Sequence, residues 1–234
     1  MGLKNYNRPH TVQNRAQLAF LGVHRYASNV VVHGDMGWAV PTVRRKLNIL
    51  GLWARLERMP DSRLTKRIYL WDRDQKCNNW SRDCKKVLKE VGEPDLWSMD
   101  GRNINIKALV ERSKVSLMSK VNELWKRDLG SQPKLRTYRT FKHERSLENY
   151  ASINISRVCR SYIAKIRSGT LTLRIETGRF EKLEEQYRLC KFCDNKKIEN
   201  EFHFIFECNQ YHTLRTKLFD YVCNVFSRCH EFRN

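Results

Sequence analysis

Apolar residues recur along this chain mostly at helical spacing, in blocks separated by proline, glycine and asparagine. After Pro41, which suits the first turn of a helix, "TVRRKLNILGLWARLERM" continues in good helix formers as far as Pro60. Asp61 or Ser62 is placed to cap a following helix, "RLTKRIYLWD", with Leu64 and Ile68 one turn apart. Asn79 opens "WSRDCKKVLKEVG", where Trp80, Cys84, Val87, Leu88 and Val91 share one face and Gly92 ends the run. Asn103 or Asn105 begins another helix, with Ile106, Val110, Leu117, Val121 and Leu124 in register, and Gly130 and Pro133 terminate it.

Beyond that point the pattern changes. "KLRTYRTFKHERSLENY" has no clean period and reads as an extended, basic connection. From Ser152 to Arg167 the helical period returns. Ile155, Val158, Cys159, Tyr162, Ile163 and Ile166 fill one arc, and Arg157, Arg160 and Arg167 fall opposite. "TLTLRIETG" is ambiguous, because Leu171, Leu173 and Ile175 recur at period two. "YHTLRTKLFDYVCNVFSRC" reads as a final amphipathic helix. No internal repeat or low-complexity segment is visible, and the expected fold is mainly α.

Charge changes the picture from a helical core to a polyanion partner. The net charge of +20 points to nucleic acid, since a phosphate backbone attracts Lys and Arg with little geometric demand. Residues 1–70 carry 12 basic and 3 acidic side chains, and residues 101–180 carry 18 and 6. Residues 71–100 carry 6 and 7, and residues 181–234 are neutral at 9 and 9. No apolar run approaches the roughly 20 residues that cross a bilayer, and the start has no apolar signal region. The expectation is an intracellular protein of nucleus or cytoplasm, not secreted and without a membrane partner. In such a reducing compartment the 8 cysteines are thiols or metal ligands rather than disulfides.

"RLCKFCDNKKIENEFHFIFEC" spaces Cys190, Cys193, His203 and Cys208 as C-x2-C-x9-H-x4-C. Two cysteines two residues apart present their sulfurs to one ion from a tight turn, and a His and a Cys from a following element can complete a tetrahedron around Zn2+. The polar "DNKK" between the halves suits the loop. His212 is a rival ligand: it follows Cys208 by four residues, on the same helical face. His203 and Cys208, five apart, cannot share a face of one regular helix, so spacing alone leans towards His212. Cys84 and Cys159 fall on apolar faces and act as small hydrophobes. Cys223, Cys229 and His230 could supply a half-site, but no partner pair accompanies them.

The expected organisation is a helical domain followed by a small zinc-stabilised helical module. Residues 1–130 form a basic helical region, 131–180 a basic connection with an amphipathic helix, and 181–234 the CCHC module with its C-terminal helix. Catalytic chemistry is not indicated. There is no Asp-Asp pair for divalent metals, and a helix turns Asp72 and Asp74 to different faces. In "EPDLWSMDGRNINIK" Asn105 stands where a nuclease motif built on Asp95, Asp100 and Lys107 needs an acid. No P-loop, nucleophile elbow or dinucleotide fingerprint occurs, and "HGDMGW" is a turn leading into a helix. The chain is expected to be non-enzymatic.

Several segments in order carry a family resemblance: "FLGVHRYASNVVVHGDMGW", "VRRKLNILGLWARLERMPDSRLTKRIYLWD", "NNW", "KLRTYRTFK", "RSGTLTLRIETGRF" and "RLCKFCDNKKIENEFHFIFECNQYHTLRTKLF". From about Arg15 to Phe219 the chain resembles the C-terminal, post-polymerase region of reverse-transcriptase polyproteins from jockey-like invertebrate non-LTR retrotransposons. The resemblance implies a helical region ending in a CCHC zinc element that engages template RNA or target DNA. It also implies the ligand set Cys190, Cys193, His203 and Cys208, and so prefers His203 to His212. The endonuclease and polymerase domains of that family are missing here.

The expected function is therefore binding of RNA or DNA, or both, by a zinc-containing module, with a polymerase domain in trans as a further partner. The expected contacts are Lys134, Arg136, Arg139, Arg157, Arg160, Arg167, Arg174 and Arg179, with Tyr138, Phe141 and Tyr162 interleaved as stacking surfaces. The alternatives are a protein-interaction scaffold, or a transposon remnant without function. Trp53, Trp71, Trp97 and Trp125 are numerous enough to meet a partner, although their register with Leu and Ile favours the core.

Overall fold

The computed structural model describes residues 8–75, 77, 79–99 and 103–231, with side chains as far as residue 224. The chain is mainly α. Its helices are α1 (Arg8–Leu21), α2 (Asn29–Met36), α3 (Pro41–Glu57), α4 (Leu64–Asp74), α5 (Trp80–Val91) and α6 (Ile106–Gly130). There follow α7 (Arg136–Phe141), α8 (Asn149–Ser152), α9 (Arg157–Arg167), α10 (Arg174–Phe180) and α11 (His212–Glu231). Among the described residues extended pairing is confined to a single antiparallel bridge, Leu189 to Ile198.

Local signals set several boundaries. Pro41 occupies the first turn of α3. The Asn79 side chain accepts from the Arg82 N–H at 3.0 Å, and Gly92, at φ 88, closes α5 in the left-handed region. Asn105 rather than Asn103 caps α6, accepting from the Ala108 N–H at 3.1 Å. Neither Asp61 nor Ser62 caps α4; Arg63 stands at that position without a side-chain bond. The stretch expected to be extended after Lys134 contains α7, and "TLTLRIETG" resolves into α10 from Arg174 onward. Both helices are short enough that periodicity carries almost no signal.

Packing centres on α3, α5 and α6, where Leu50, Trp53, Cys84, Val87, Leu88 and Leu109 are buried together. The 25 residues of α6 span about 38 Å at 1.5 Å per residue. Its far end reaches a second cluster, in which Trp125 and Leu129 meet Val30, Val31, Leu135 and Tyr138. Gly34 of α2 lies against this cluster, and an added Cβ would run into Tyr138 and Trp125. A third cluster joins Leu18 and Leu21 of α1 to Met36, Tyr150 and Ala164. Residues 8–40 and 135–167 thus share apolar cores.

Two helices turn their polar faces inward. In α4, Lys66 and Tyr69 are buried, whereas Leu64 is 70% exposed and Ile68 and Trp71 also face solvent. The reason is Glu57, a buried carboxylate at the end of α3. It pairs with Lys66 Nζ at 3.3 Å and Arg73 Nη1 at 2.9 Å, and accepts a hydrogen bond from the Tyr69 hydroxyl. In α9 the arc of Val158, Tyr162 and Ile163 is exposed, and Cys159 with it. Ala164 and Arg167 point inward instead. Arg167 donates from Nε and Nη2 to the two carboxylate oxygens of Asp35, each at 2.7 Å. Asp35 is fully buried and also accepts from Tyr138 Oη and Tyr150 Oη at 2.7 Å each, so one carboxylate joins α2, α7, α8 and α9.

Candidate metal centre

The C-terminal cysteines lie on a small hairpin. The Cys190 N–H donates to Lys197 O at 2.8 Å and the Glu199 N–H to Arg188 O at 3.0 Å, which closes a turn over Cys193 and the "DNKK" loop. The chain then enters a single π-turn at His203–Glu207. Its defining bond runs from the Cys208 N–H to His203 O at 2.7 Å, spanning five residues. This wider turn brings together two side chains that a regular α-helix holds on different faces, which answers the spacing objection to His203. Asn200 starts the turn, its Oδ1 accepting from the His203 N–H at 2.8 Å.

The result is a four-donor cluster of Cys190, Cys193, His203 and Cys208, with all donor atoms within 4.8 Å of one another. Cys190 Sγ lies 4.0 Å from Cys208 Sγ, and Cys193 Sγ lies 3.4 Å from His203 Nε2. A tetrahedral ion with bonds of about 2.3 Å to sulfur and about 2.0 Å to nitrogen needs edges of roughly 3.5–3.8 Å. The Cys190–Cys208 and Cys193–His203 edges match those values within a few tenths of an ångström and every other donor pair lies within 4.8 Å, so the donor set fits a tetrahedral ion. Cys190, His203 and Cys208 are buried and Cys193 is half-buried. His212, by contrast, is exposed and stands outside the cluster.

The surroundings tune the ligands. Burial pushes the Cys190 thiol up to about 11, while the Asn195 N–H holds Cys193 below the usual thiol value. The Phe192 N–H points at Cys190 Sγ at 3.4 Å. On the far side of the imidazole, His203 Nδ1 is 3.4 Å from Glu207 Oε2, and Glu207 pairs with Lys197 Nζ at 3.0 Å. This carboxylate contact orients the ring with Nε2 towards the sulfurs. Glu207 and Asn200 were not foreseen as part of the site. The only sequence signal for Asn200 is its place three residues ahead of His203, the spacing of a helix cap.

Three contacts show what the hairpin holds. Glu199 accepts the Arg174 N–H at 2.8 Å on its side chain and the Ile175 N–H at 3.0 Å on its carbonyl, so it caps α10. Glu201 accepts from Arg136 Nη2 at 2.9 Å and Thr137 Oγ1 at 3.1 Å, tying the hairpin to α7. Arg215 of α11 donates to Ile205 O at 2.8 Å and Cys208 O at 2.7 Å. The Cys/His cluster therefore lies where α7, α10 and α11 are tied together.

The basic residues expected to meet nucleic acid fall into two groups. Arg136 pairs with Glu176 and Glu201, Arg167 with Asp35 and Glu148, Arg174 with Glu181, and Arg179 with Glu176. Lys134, Arg139, Arg157 and Arg160 have no carboxylate partner among the described residues. Arg139 donates to Gly130 O at 3.1 Å, and Arg160 sits 4.3 Å over the Phe20 ring and bonds Ile155 O. Tyr138 is fully buried, whereas Phe141 and Tyr162 are exposed. Trp53 and Trp125 belong to the core and Trp71 faces solvent. Cys229 and His230 lie outside the residues with described side chains.

Fold and site define a helical protein with a Cys3His cluster near its C-terminus whose donors fit a metal ion. Comparison with known protein families, curated proteins and solved structures yields no match. Among the described residues no helix is long and apolar enough to cross a membrane.

Proposed function

We propose that this chain is a zinc-braced, non-catalytic nucleic-acid-binding module, equivalent to the post-polymerase region of a non-LTR retrotransposon reverse transcriptase. The observation that carries the reading is the surplus of cations. With a net charge of +20, twenty basic groups are left over even if every carboxylate takes one partner. Nucleic acid is the polyanion that such a surplus meets with least geometric demand. Lys134, Arg139, Arg157 and Arg160, unspent on carboxylates, are the first candidates for phosphate contacts. Zinc is the ion in this reading because three thiolates and one imidazole in a closed tetrahedron suit it, and such closed sites are structural. The ion's work is to hold α7, α10 and α11 in place around the basic surface.

The test is binding of the zinc-loaded chain to single-stranded RNA and DNA over a salt titration. Affinity should persist near 150 mM salt and fall linearly on a log–log plot, by about 0.7 per phosphate contact for a single strand. Absent binding, or a shallow effect at low salt only, overturns the reading.

A second reading, a protein-interaction scaffold, has its own observation: the exposed apolar arcs of α4 and α9, with Leu64, Ile68 and Trp71 on one and Val158, Tyr162 and Ile163 on the other. Contacts made by those arcs would be nearly insensitive to salt, which separates the two readings in one experiment.

A further inference from the structure

We propose that the cleft between the α1–α2 turn and α10 is a nucleotide pocket, which takes one unpaired base of a single strand between Tyr26 and Phe180 and the adjoining phosphate at Lys134 and Arg179. The proposal rests on the nucleic-acid reading above and deepens it by naming where a base is held.

The cleft has a volume of about 640 Å³, within the range of roughly 300–1,000 Å³ typical of small-ligand sites. Phe180, at the end of α10, lines it and is 90% exposed. A phenylalanine this open contributes nothing to the core, and an exposed large apolar side chain beside a cleft is informative for that reason. Tyr26, 69% exposed, lines the same cleft. Its ring is held in place: the Arg25 guanidinium lies 4.8 Å from the ring centroid and Arg25 Nη2 donates to Tyr26 Oη at 2.8 Å. The His24 ring packs beside it, with centroids 4.7 Å apart. Arg25 and His24 fix the ring, and at 69% exposure it still offers surface to a ligand in the cleft.

The charged groups match the phosphate half of a nucleotide. Lys134 lines the cleft and makes no ion pair among the described residues. Arg179 lines it too, on an exposed edge, held by Glu176 at 3.3 Å. Glu176, the acid in the cleft wall, is shared between Arg136 and Arg179, so its charge is offset before any ligand arrives. Gly169, at φ 60, lets the chain turn against the backbone of Lys134; a Cβ there would meet Lys134 O at 3.1 Å. The lysine is therefore seated on a fixed loop. Two open rings beside two cations suit a single strand, which offers a π-face and a phosphate at every step. Bases stacked within a duplex cannot enter such a cleft, so the ligand class is single-stranded.

The experiment uses the full, metal-loaded chain and a short single-stranded RNA carrying one 2-aminopurine, at about 150 mM salt. Binding should change the 2-aminopurine fluorescence. Phe180→Ala and Tyr26→Ala should each weaken binding by about 10-fold and abolish that change. Both side chains are exposed, so helical content and bound metal should stay as in the wild type. Lys134→Ala should reduce the salt slope by about one phosphate contact. An RNA whose bases are replaced by abasic sites should bind the wild type as weakly as Phe180→Ala binds the intact strand. If the wild type binds RNA with a steep salt slope but Phe180→Ala and Tyr26→Ala bind equally well, the pocket is wrong and the nucleic-acid reading survives. If the wild type binds no RNA, both fall.

Discussion

Asp35 joins four helices through one carboxylate. It is a fully buried carboxylate with every acceptor position used, by two tyrosine hydroxyls and a bidentate arginine. Such a group stabilises the interior only while its partners remain, since an unpaired buried charge is costly. Asp35→Ala and Arg167→Ala should each destabilise the chain by about 3–5 kcal/mol in urea unfolding. The double variant should cost less than the sum, because both single changes remove the same Asp35–Arg167 pair. A similar residue-scale test separates the rival metal ligands. His203→Ala should abolish stoichiometric metal in the purified protein, and His212→Ala should leave it intact, as read by elemental analysis. Cys190, Cys193 and Cys208 were legible as candidate ligands from residue type and order. Spacing alone leans towards His212 and the family resemblance towards His203; the structure groups His203 with the cysteines through a π-turn that no local propensity announces.

Among the elements, the hairpin and its π-turn carry the four candidate ligands and the contacts to α7, α10 and α11. The module from Glu181 onward has little core of its own: Cys190, Glu199, Glu201, His203 and Cys208 are its buried residues among those described. Its order rests on the cage and on the Glu199, Glu201 and Arg215 contacts. Metal removal should therefore loosen α10, the hairpin and the start of α11 while α3, α5 and α6 stay folded. Hydrogen exchange before and after chelation would check this, with protection lost over residues 174–215 and kept over 41–57 and 106–130. Uniform loss across the chain would mean that the metal supports the whole fold. Helix existence at this scale was largely readable from periodicity and caps, as Asn79 with Gly92 and Pro41 illustrate. The orientation of α4 and α9 was not: Asp35 lies 132 residues from Arg167, and Glu57, though only nine residues from Lys66, acts through a buried ion pair that periodicity does not register.

For the whole molecule, electrostatics dominates what the surface can meet. Ion pairs with Glu176, Glu201, Asp35 and Glu181 occupy four of the eight basic residues singled out from sequence. The net charge of +20 nonetheless survives any internal pairing. Neutralising Lys134, Arg139, Arg157 and Arg160 together should lower RNA affinity and flatten its salt dependence by up to about four phosphate contacts. The apolar arcs of α4 and α9 should contribute little to that slope.

By itself the sequence determined the mainly helical class, the boundaries of α3, α5 and α6, the cationic surplus and the residue types of the Cys/His cluster. Each of these is local or additive: propensity and capping act within a few residues, and charge is a sum. Tertiary structure alone decided which face of α4 and α9 turns inward, which histidine joins the cysteines, and which arginines are consumed by buried carboxylates. It also assembled the Tyr26–Phe180 cleft from segments more than a hundred residues apart. Those outcomes depend on tertiary pairing, where one buried carboxylate outweighs the hydrophobic pattern of a whole helix.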